Sequence, residues 1–244
     1  MPPSERPIYL DHNATTPLLP EVVDAMLPYL REQFGNPSSS HPWGRRTRAA
    51  VDAVDAAREQ VSSPSSTPTT RPGPSSRSAK SQRSLARGAG HERGLRPGTE
   101  NVASIVGLGV ACAIASTTLE QRARHLSELR DRLWALLAAG IEGLKKNGHD
   151  TEQLPNTLSV RFPRVRGTVL LDAAPKIAAS TGSACHEGHE RASDVILATG
   201  LSANDALETV RLSVGVTTTI EEVESAASAL VGAWSSLVSA GGTP

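Results

Sequence analysis

Cys185 is the side chain with the clearest chemical potential, and it lies in the sequence STGSACHEGH at residues 180–189. Small residues and glycines flank it, which predicts an accessible loop where a thiolate can act as a nucleophile. The neighbouring His186 would help to favour the thiolate. Two alternatives stay open: a small buried cysteine, the common fate of a free thiol, or a metal site with His186 and His189, although no fourth ligand pair is evident.

Arg211 is the second candidate, within VRLSVG at residues 210–215. The alternation of Val210, Leu212 and Val214 predicts a half-buried strand, with the arginine on the opposite side. A planar guanidinium presents parallel N–H groups that match a carboxylate, so this position suits a carboxylate clamp. A surface ion pair is the alternative.

Three further clusters combine small and polar residues: YLDHNATTP at 9–17, GNPSSSH at 35–41 and GHERGLRPGTEN at 90–101. The first two are typical of ordinary turns when each is taken alone. In the third, Gly98 and Thr99 precede an apolar helix, whose free N–H groups favour an anion such as a phosphate. An ordinary N-cap by Thr99 is the alternative.

Helical periodicity predicts four helices before residue 148. The first has Pro20 near its start, and the others span about 44–61, 102–115 and 119–146. The helix at 102–115 is apolar on all sides, which predicts a buried helix with Cys112 in the core.

Strand and helix patterns alternate in the rest of the chain. Leu158, Val160 and Phe162 alternate as in a half-buried strand. Thr219 and Glu222 have the spacing of a capping box before a last helix. The fold class predicted from these patterns is α/β.

The overall composition excludes several classes of protein. Lys and Arg together number 25 and balance 25 Asp and Glu, so nothing indicates nucleic acid or an anionic membrane as a partner. Two cysteines do not make a disulfide framework. The sequence has no N-terminal hydrophobic run, and we expect no charge-free apolar stretch of membrane-spanning length. These features predict a soluble cytoplasmic protein.

Residues 62–84 have an abruptly different composition. Nine of them are Ser, four are Pro and three are Thr, and Ala79 is the only aliphatic residue. Such a segment buries too little apolar surface to offset the entropy of ordering it. We interpret it as a disordered linker.

Taken together and in this order, the five clusters and the LPNTLSV stretch resemble the cysteine desulfurase and selenocysteine lyase branch of the class V aminotransferases. The resemblance covers about residues 7–61 and 88–238. It implies the small C-terminal domain of a type I fold for pyridoxal phosphate, with remnants of the large domain. It implies four segments: an N-terminal part at 1–61, a linker in place of the cofactor-binding core at 62–87, a large-domain remnant at 88–118, and the small domain with the cysteine loop at 119–240.

The resemblance also implies a chemistry. Members use pyridoxal 5′-phosphate to convert L-cysteine to L-alanine, and the loop cysteine, here Cys185, keeps the sulfur as a persulfide. Arg211 would bind the substrate carboxylate, Thr99 would contact the cofactor phosphate, and Asn13 and Ala14 would line the substrate entrance. The implied partners are a second copy in a homodimer and a sulfur-acceptor protein, for iron–sulfur or thio-cofactor assembly.

The sequence departs from the family between Val61 and Gly88. There the family holds its phosphate-binding turn, the histidine on the ring, the aspartate at the pyridine nitrogen and the Schiff-base lysine. Lys80 is the only lysine in this stretch, and the residue directly before it is Ala79 rather than a histidine. The other lysines of the chain are Lys145, Lys146 and Lys176.

The expected consequence is a desulfurase-like protein with weak or no activity. The alternatives are a non-catalytic partner that accepts a persulfide from an intact desulfurase or dimerises with it, and a degenerate product without function. The helix at 102–115 would lack the sheet that normally covers it, so its apolar surface would favour association.

Overall fold

The computed structural model describes residues 6–61, 98–181 and 191–241, with the backbone alone at 58–61. The chain divides into two compact units. One unit combines Met1–Pro17 with Thr118–Pro244, and the other is Leu18–Thr117. The predicted linker falls outside the described residues.

The Leu18–Thr117 unit is helical in its described part. It contains α1 (Pro20–Arg31), α2 (Pro42–Val61) and the first part of α3 (Val102–Gly140). Pro20 lies in the first turn of α1, where the missing N–H costs nothing. Both predicted helices before residue 61 are therefore confirmed.

Two glycines of α3 receive side chains from the other helices of this unit. A Cβ built on Gly107 would lie 2.7 Å from the Met26 sulfur, and one on Gly109 would lie 2.8 Å from Val54. Real Cβ contacts are longer than this, so the absence of a side chain allows α1 and α2 to approach the α3 backbone.

The prediction of a fully buried helix at 102–115 is wrong. Val102, Ala103 and Gly107 are buried, but Leu108 is 66% exposed and Cys112 is also exposed. Only α1 and α2 are present within the described part of this unit to cover the helix. Cys112 is therefore a surface thiol rather than a core residue, and the exposed apolar surface expected without the family's sheet is present.

The first part of α3 also corrects the prediction that no long charge-free stretch exists. Residues 102–119 carry no charged side chain. By length and composition alone, α3 is the one described helix that could cross a membrane, and 17% of its most apolar window is buried. This is weak evidence of a membrane span, because the core helix of a soluble protein passes the same test.

The larger unit is built on antiparallel strands. The sheet has the order β2 (Lys145–Lys146), β3 (Thr157–Arg161) and β5 (Thr209–Ser213). A separate parallel pair joins β1 (Ile8–Tyr9) to β4 (Ile177–Ala178). Residues from the start of the chain therefore belong to the same unit as its C-terminal part.

Four helices of this unit follow β3 in sequence. They are α4 (Gly167–Ala173), α5 (Asp194–Leu197), α6 (Ala203–Leu207) and α7 (Ile220–Ser239). The fold is mixed α/β, as the sequence predicts.

The core of this unit lies between the sheet and the helices α3 and α7. The alternating residues of β3 and β5 are buried as predicted. The largest buried side chains are Leu10, Leu133, Leu137, Ile141, Leu158, Val160, Phe162, Leu170, Val210, Leu212, Val214 and Leu230. The Trp234 indole also donates a hydrogen bond of 3.0 Å to the Pro163 carbonyl, so its one polar group is paired.

The helix predicted at 119–146 has different ends in the structure. It is continuous with the preceding helix from Val102 and stops at Gly140. Gly143 then adopts a φ of +77° in a turn, and Lys145–Lys146 form β2. The apolar spacing continues through Leu144, which is partly buried against the core, so periodicity alone does not show the break.

Candidate functional site

Arg211 lies in the middle of β5, between two backbone partners. It is opposite Ser159 of β3 on one side. On the other side its N–H donates to the Ser180 carbonyl at 2.6 Å, and the Ser180 N–H donates back at 3.3 Å. Val210 and Leu212 are buried while Arg211 is partly exposed, so the predicted placement opposite the apolar set is confirmed.

The Arg211 guanidinium is paired with a carboxylate of the chain itself. Its Nη2 donates to Oδ1 of Asp11 at 2.7 Å, with 32% of the arginine and 21% of the aspartate side chain exposed. The Arg211 Nε is buried and has no hydrogen-bond partner among the described residues. The ion pair weighed as an alternative is thus present, and it is partly buried.

Asn13 has its amide fully engaged with the sheet. Its Nδ2 donates to Thr157 Oγ1 at 2.7 Å, and its Oδ1 accepts from Asn156 Nδ2 at 2.9 Å. Its backbone N–H donates to Ser213 Oγ at 3.0 Å. The side chain therefore fastens the segment after β1 to β3 and β5, while the adjacent Ala14 is exposed.

His12 completes this polar region. Its ring meets Tyr9 edge-on with centroids 4.9 Å apart, and its Nδ1 lies 3.1 Å from Thr16 Oγ1. Burial lowers the pKa of His12 from its ordinary value, against the opposing charges of Glu222 and Asp11. A neutral imidazole therefore suits this position.

Cys185 lies outside the described residues, and so do His186 and His189. The described chain before this segment ends at Thr181, next to the Ser180 backbone bridge to Arg211. Cys185 lies five residues after Ser180 in the sequence, and its approach to Arg211 stays a prediction.

Thr99 is described and exposed, in the Leu18–Thr117 unit. It does not cap α3. Asn101 does, because its Oδ1 accepts the Ser104 N–H at 3.2 Å and its carbonyl accepts the Ile105 N–H at 3.0 Å. The alternative of an N-cap by Thr99 is thus wrong by two residues, and the contact of Thr99 with a cofactor phosphate stays a prediction.

Comparisons with known proteins decide the family. The model of Aminotransferase class-V matches residues 8–70 and 67–225. The chain belongs to the class-V aminotransferase family.

The chain is similar to a cysteine desulfurase IscS of Colwellia psychrerythraea (strain 34H / ATCC BAA-681), with 40% identity over 146 residues, 60% of this chain and 36% of the relative. It is also similar to human selenocysteine lyase, with 40% identity over 144 residues, 56% of this chain and 32% of the relative. The chain thus spans about a third of the length of these relatives, which fits a truncated member. The predicted branch of the family is confirmed.

The fold has counterparts among solved structures. A NifS-like protein superposes with a TM-score of 0.76 at 20% identity, over 95% of this chain and 100% of that chain. A NifS-like protein from Rickettsia africae ESF-5 superposes with a TM-score of 0.71 at 17% identity, over 96% of this chain and 100% of that one. These likenesses show that the chain has the predicted α/β fold.

The class-V family normally uses pyridoxal phosphate, but the described residues of this member do not fit it. The cofactor needs a lysine for its Schiff base and a charged partner at the ring nitrogen. Lys145 and Lys176 are exposed, and the Lys146 ammonium lies 5.1 Å from the centroid of the Trp134 ring. None of these three is placed for a shielded aldimine, and the described residues also contain no cluster of metal ligands.

Sequence reasoning missed two contributors to this site, Asp11 and Asn156. Asp11 lies within the YLDHNATTP cluster, and its charge next to a turn was the available signal. Asn156 lies within LPNTLSV, just before β3, where a polar side chain at a strand end contacts the segment that follows β1.

Proposed function

We propose that this protein derives from a cysteine desulfurase and carries sulfur as a persulfide on Cys185, with weak or no desulfurase activity of its own. The observation that carries the proposal is the backbone bridge between Ser180 and Arg211. The bridge fixes Ser180, which precedes Cys185 by five residues in the sequence, to the strand with the candidate carboxylate clamp. The similarity to proteins named cysteine desulfurase supports the same conclusion.

The transfer itself needs no cofactor. The Cys185 thiolate attacks the outer sulfur of a donor persulfide, the donor's S–S bond breaks, and the donor leaves as a thiolate. The new persulfide on Cys185 holds the same sulfur at the same oxidation level, so no oxidant is consumed. A second thiolate, on an acceptor protein for iron–sulfur or thio-cofactor assembly, then removes the sulfur in the same way.

The remaining candidate residues keep the roles that the family implies. Arg211 would bind the carboxylate of L-cysteine, and Asn13 would hold the entrance segment with Ala14 beside it. Thr99 would contact a phosphate group. Because the described lysines do not fit the cofactor, we assign no step beyond substrate binding to these residues.

One observation favours the alternative of a dimerising partner for an intact desulfurase or for a second copy. Leu108 and Leu119 on α3 are 66% and 67% exposed, in a stretch without charged residues. Apolar surface of this kind favours association with another protein. Co-purification of an intact cytoplasmic desulfurase with the tagged chain would support this alternative.

Absorption spectra with added pyridoxal phosphate separate the carrier from an active enzyme. We expect no stable aldimine band, no lysine modified after borohydride reduction, and no L-alanine formed from L-cysteine. A reducible band that maps to one lysine, together with alanine release, would show that a working cofactor site is present and that the carrier proposal is wrong.

A further inference from the structure

Asp11 is held in place before any ligand arrives. Its carbonyl oxygen accepts the Ala14 N–H at 3.0 Å and the Tyr9 hydroxyl at 3.2 Å. The Asp11 backbone also forms a parallel β-bridge with Ser213 of β5. The backbone that carries the carboxylate is therefore fixed beside Arg211, its side-chain partner at 2.7 Å.

The Arg211 backbone is also fixed, because it lies between Ser159 of β3 and the Ser180 bridge. Among the described residues, the Arg211 side chain donates one hydrogen bond, from Nη2 to Asp11 Oδ1, so the pairing is single rather than bidentate. A guanidinium has five N–H donors, and two parallel ones make the strongest grip on a carboxylate. The Arg211 guanidinium therefore retains N–H donors for a second anion.

The two charges cancel within the chain. A ligand carboxylate that reaches Arg211 comes within a few ångströms of the Asp11 carboxylate and is repelled by it. The pair is only partly exposed, so water screens this repulsion incompletely. The aspartate thus positions the arginine and at the same time competes with its ligand.

We propose that Asp11 is a positioning residue that orients the Arg211 guanidinium and lowers its affinity for a carboxylate ligand. This inference rests on the proposed role of Arg211 as the carboxylate-binding group. It adds a built-in competitor, which keeps a small amino acid weakly bound and quickly released.

The test uses the full chain and acetate, the smallest carboxylate, at constant ionic strength. Binding is followed by NMR through the arginine side-chain and backbone amide signals. The variant Asp11→Asn removes the charge and keeps an oxygen that accepts the Arg211 hydrogen bond. We expect it to bind acetate about tenfold more tightly than the wild type, while Arg211→Gln abolishes the binding. A purely structural role of Asp11 would loosen the arginine and weaken binding instead.

Each other outcome decides a different point. Equal or weaker acetate binding by Asp11→Asn, with binding still lost in Arg211→Gln, would overturn the competitor and leave the arginine's role intact. No arginine-dependent binding in either protein would overturn both that role and this inference. Asp11→Ser provides a second neutral variant, and failure of both variants to fold would make the pair a structural element only.

Discussion

The imidazole ring of His12 occupies the space that a side chain on Gly215 would need. A Cβ built on Gly215 overlaps the ring, and Gly215 is buried two residues after the end of β5. The N-terminal segment therefore packs directly on the C-terminal part of the same unit.

Gly215→Ala is expected to lower the free energy of unfolding by about 1–3 kcal/mol, because the methyl group must displace a ring held by Tyr9 and Thr16. Chemical denaturation followed by tryptophan fluorescence measures this. Gly232→Ala is the matched control, since a Cβ there meets open space in an exposed part of α7. The double variant Gly215→Ala with His12→Ala should recover most of the stability that Gly215→Ala alone loses. Unchanged stability of Gly215→Ala would contradict this packing.

Two leucines of α3 should respond very differently to truncation. Leu133 is fully buried, so Leu133→Ala should cost about 2–5 kcal/mol. Leu119 is 67% exposed on the same helix, so Leu119→Ala should change stability by no more than about 0.5 kcal/mol. Denaturant titrations of both variants test the division between buried and exposed parts of α3. Similar losses in the two variants would show that the exposed part is covered in solution.

The start of α7 depends on a capping box. Thr219 Oγ1 accepts the Glu222 N–H at 3.2 Å, and the Glu222 carboxylate accepts the Thr219 N–H at 2.9 Å. Thr219→Ala should therefore cost about 1 kcal/mol. Thr219→Ser retains the hydroxyl and should lose much less, as thermal unfolding would show. Equal losses for alanine and serine would mean that the threonine methyl group, rather than the cap, stabilises the helix.

Stability should depend on pH through His12. Burial holds its pKa in the folded state below the ordinary 6.5, so the unfolded state binds the proton more readily. The stability that the neutral ring contributes is fully present above about pH 6.5 and is lost as the pH falls through the lowered folded pKa. Unfolding free energies of the wild type should therefore fall more steeply towards acid than those of His12→Gln. Parallel pH profiles would contradict this.

Local patterns predicted the strand around Arg211 and the capping box at Thr219, because each depends on neighbours a few residues away. They could not predict the pairing of Arg211 with Asp11, which joins residues 200 positions apart. Local patterns also could not predict the exposure of Cys112. An apolar helix is buried only if other elements cover it, and periodicity does not count those elements.

The poor fit to pyridoxal phosphate, in contrast, could be predicted from the sequence. The absence of the family's histidine–lysine pair is legible in the sequence, and the described positions of Lys145, Lys146 and Lys176 supply no replacement. The roles of Cys185 and Thr99 depend on long-range placement and stay predictions.

Mass spectrometry of the two cysteines after exposure to a small-molecule persulfide tests the sulfur-carrier proposal most directly. Cys112 is an exposed thiol with no charged residue or histidine beside it in the sequence, whereas Cys185 has the adjacent His186. We expect one added sulfur on Cys185, its transfer to an added acceptor thiol, and little modification of Cys112. Equal modification of both cysteines, or none on Cys185, would contradict the account.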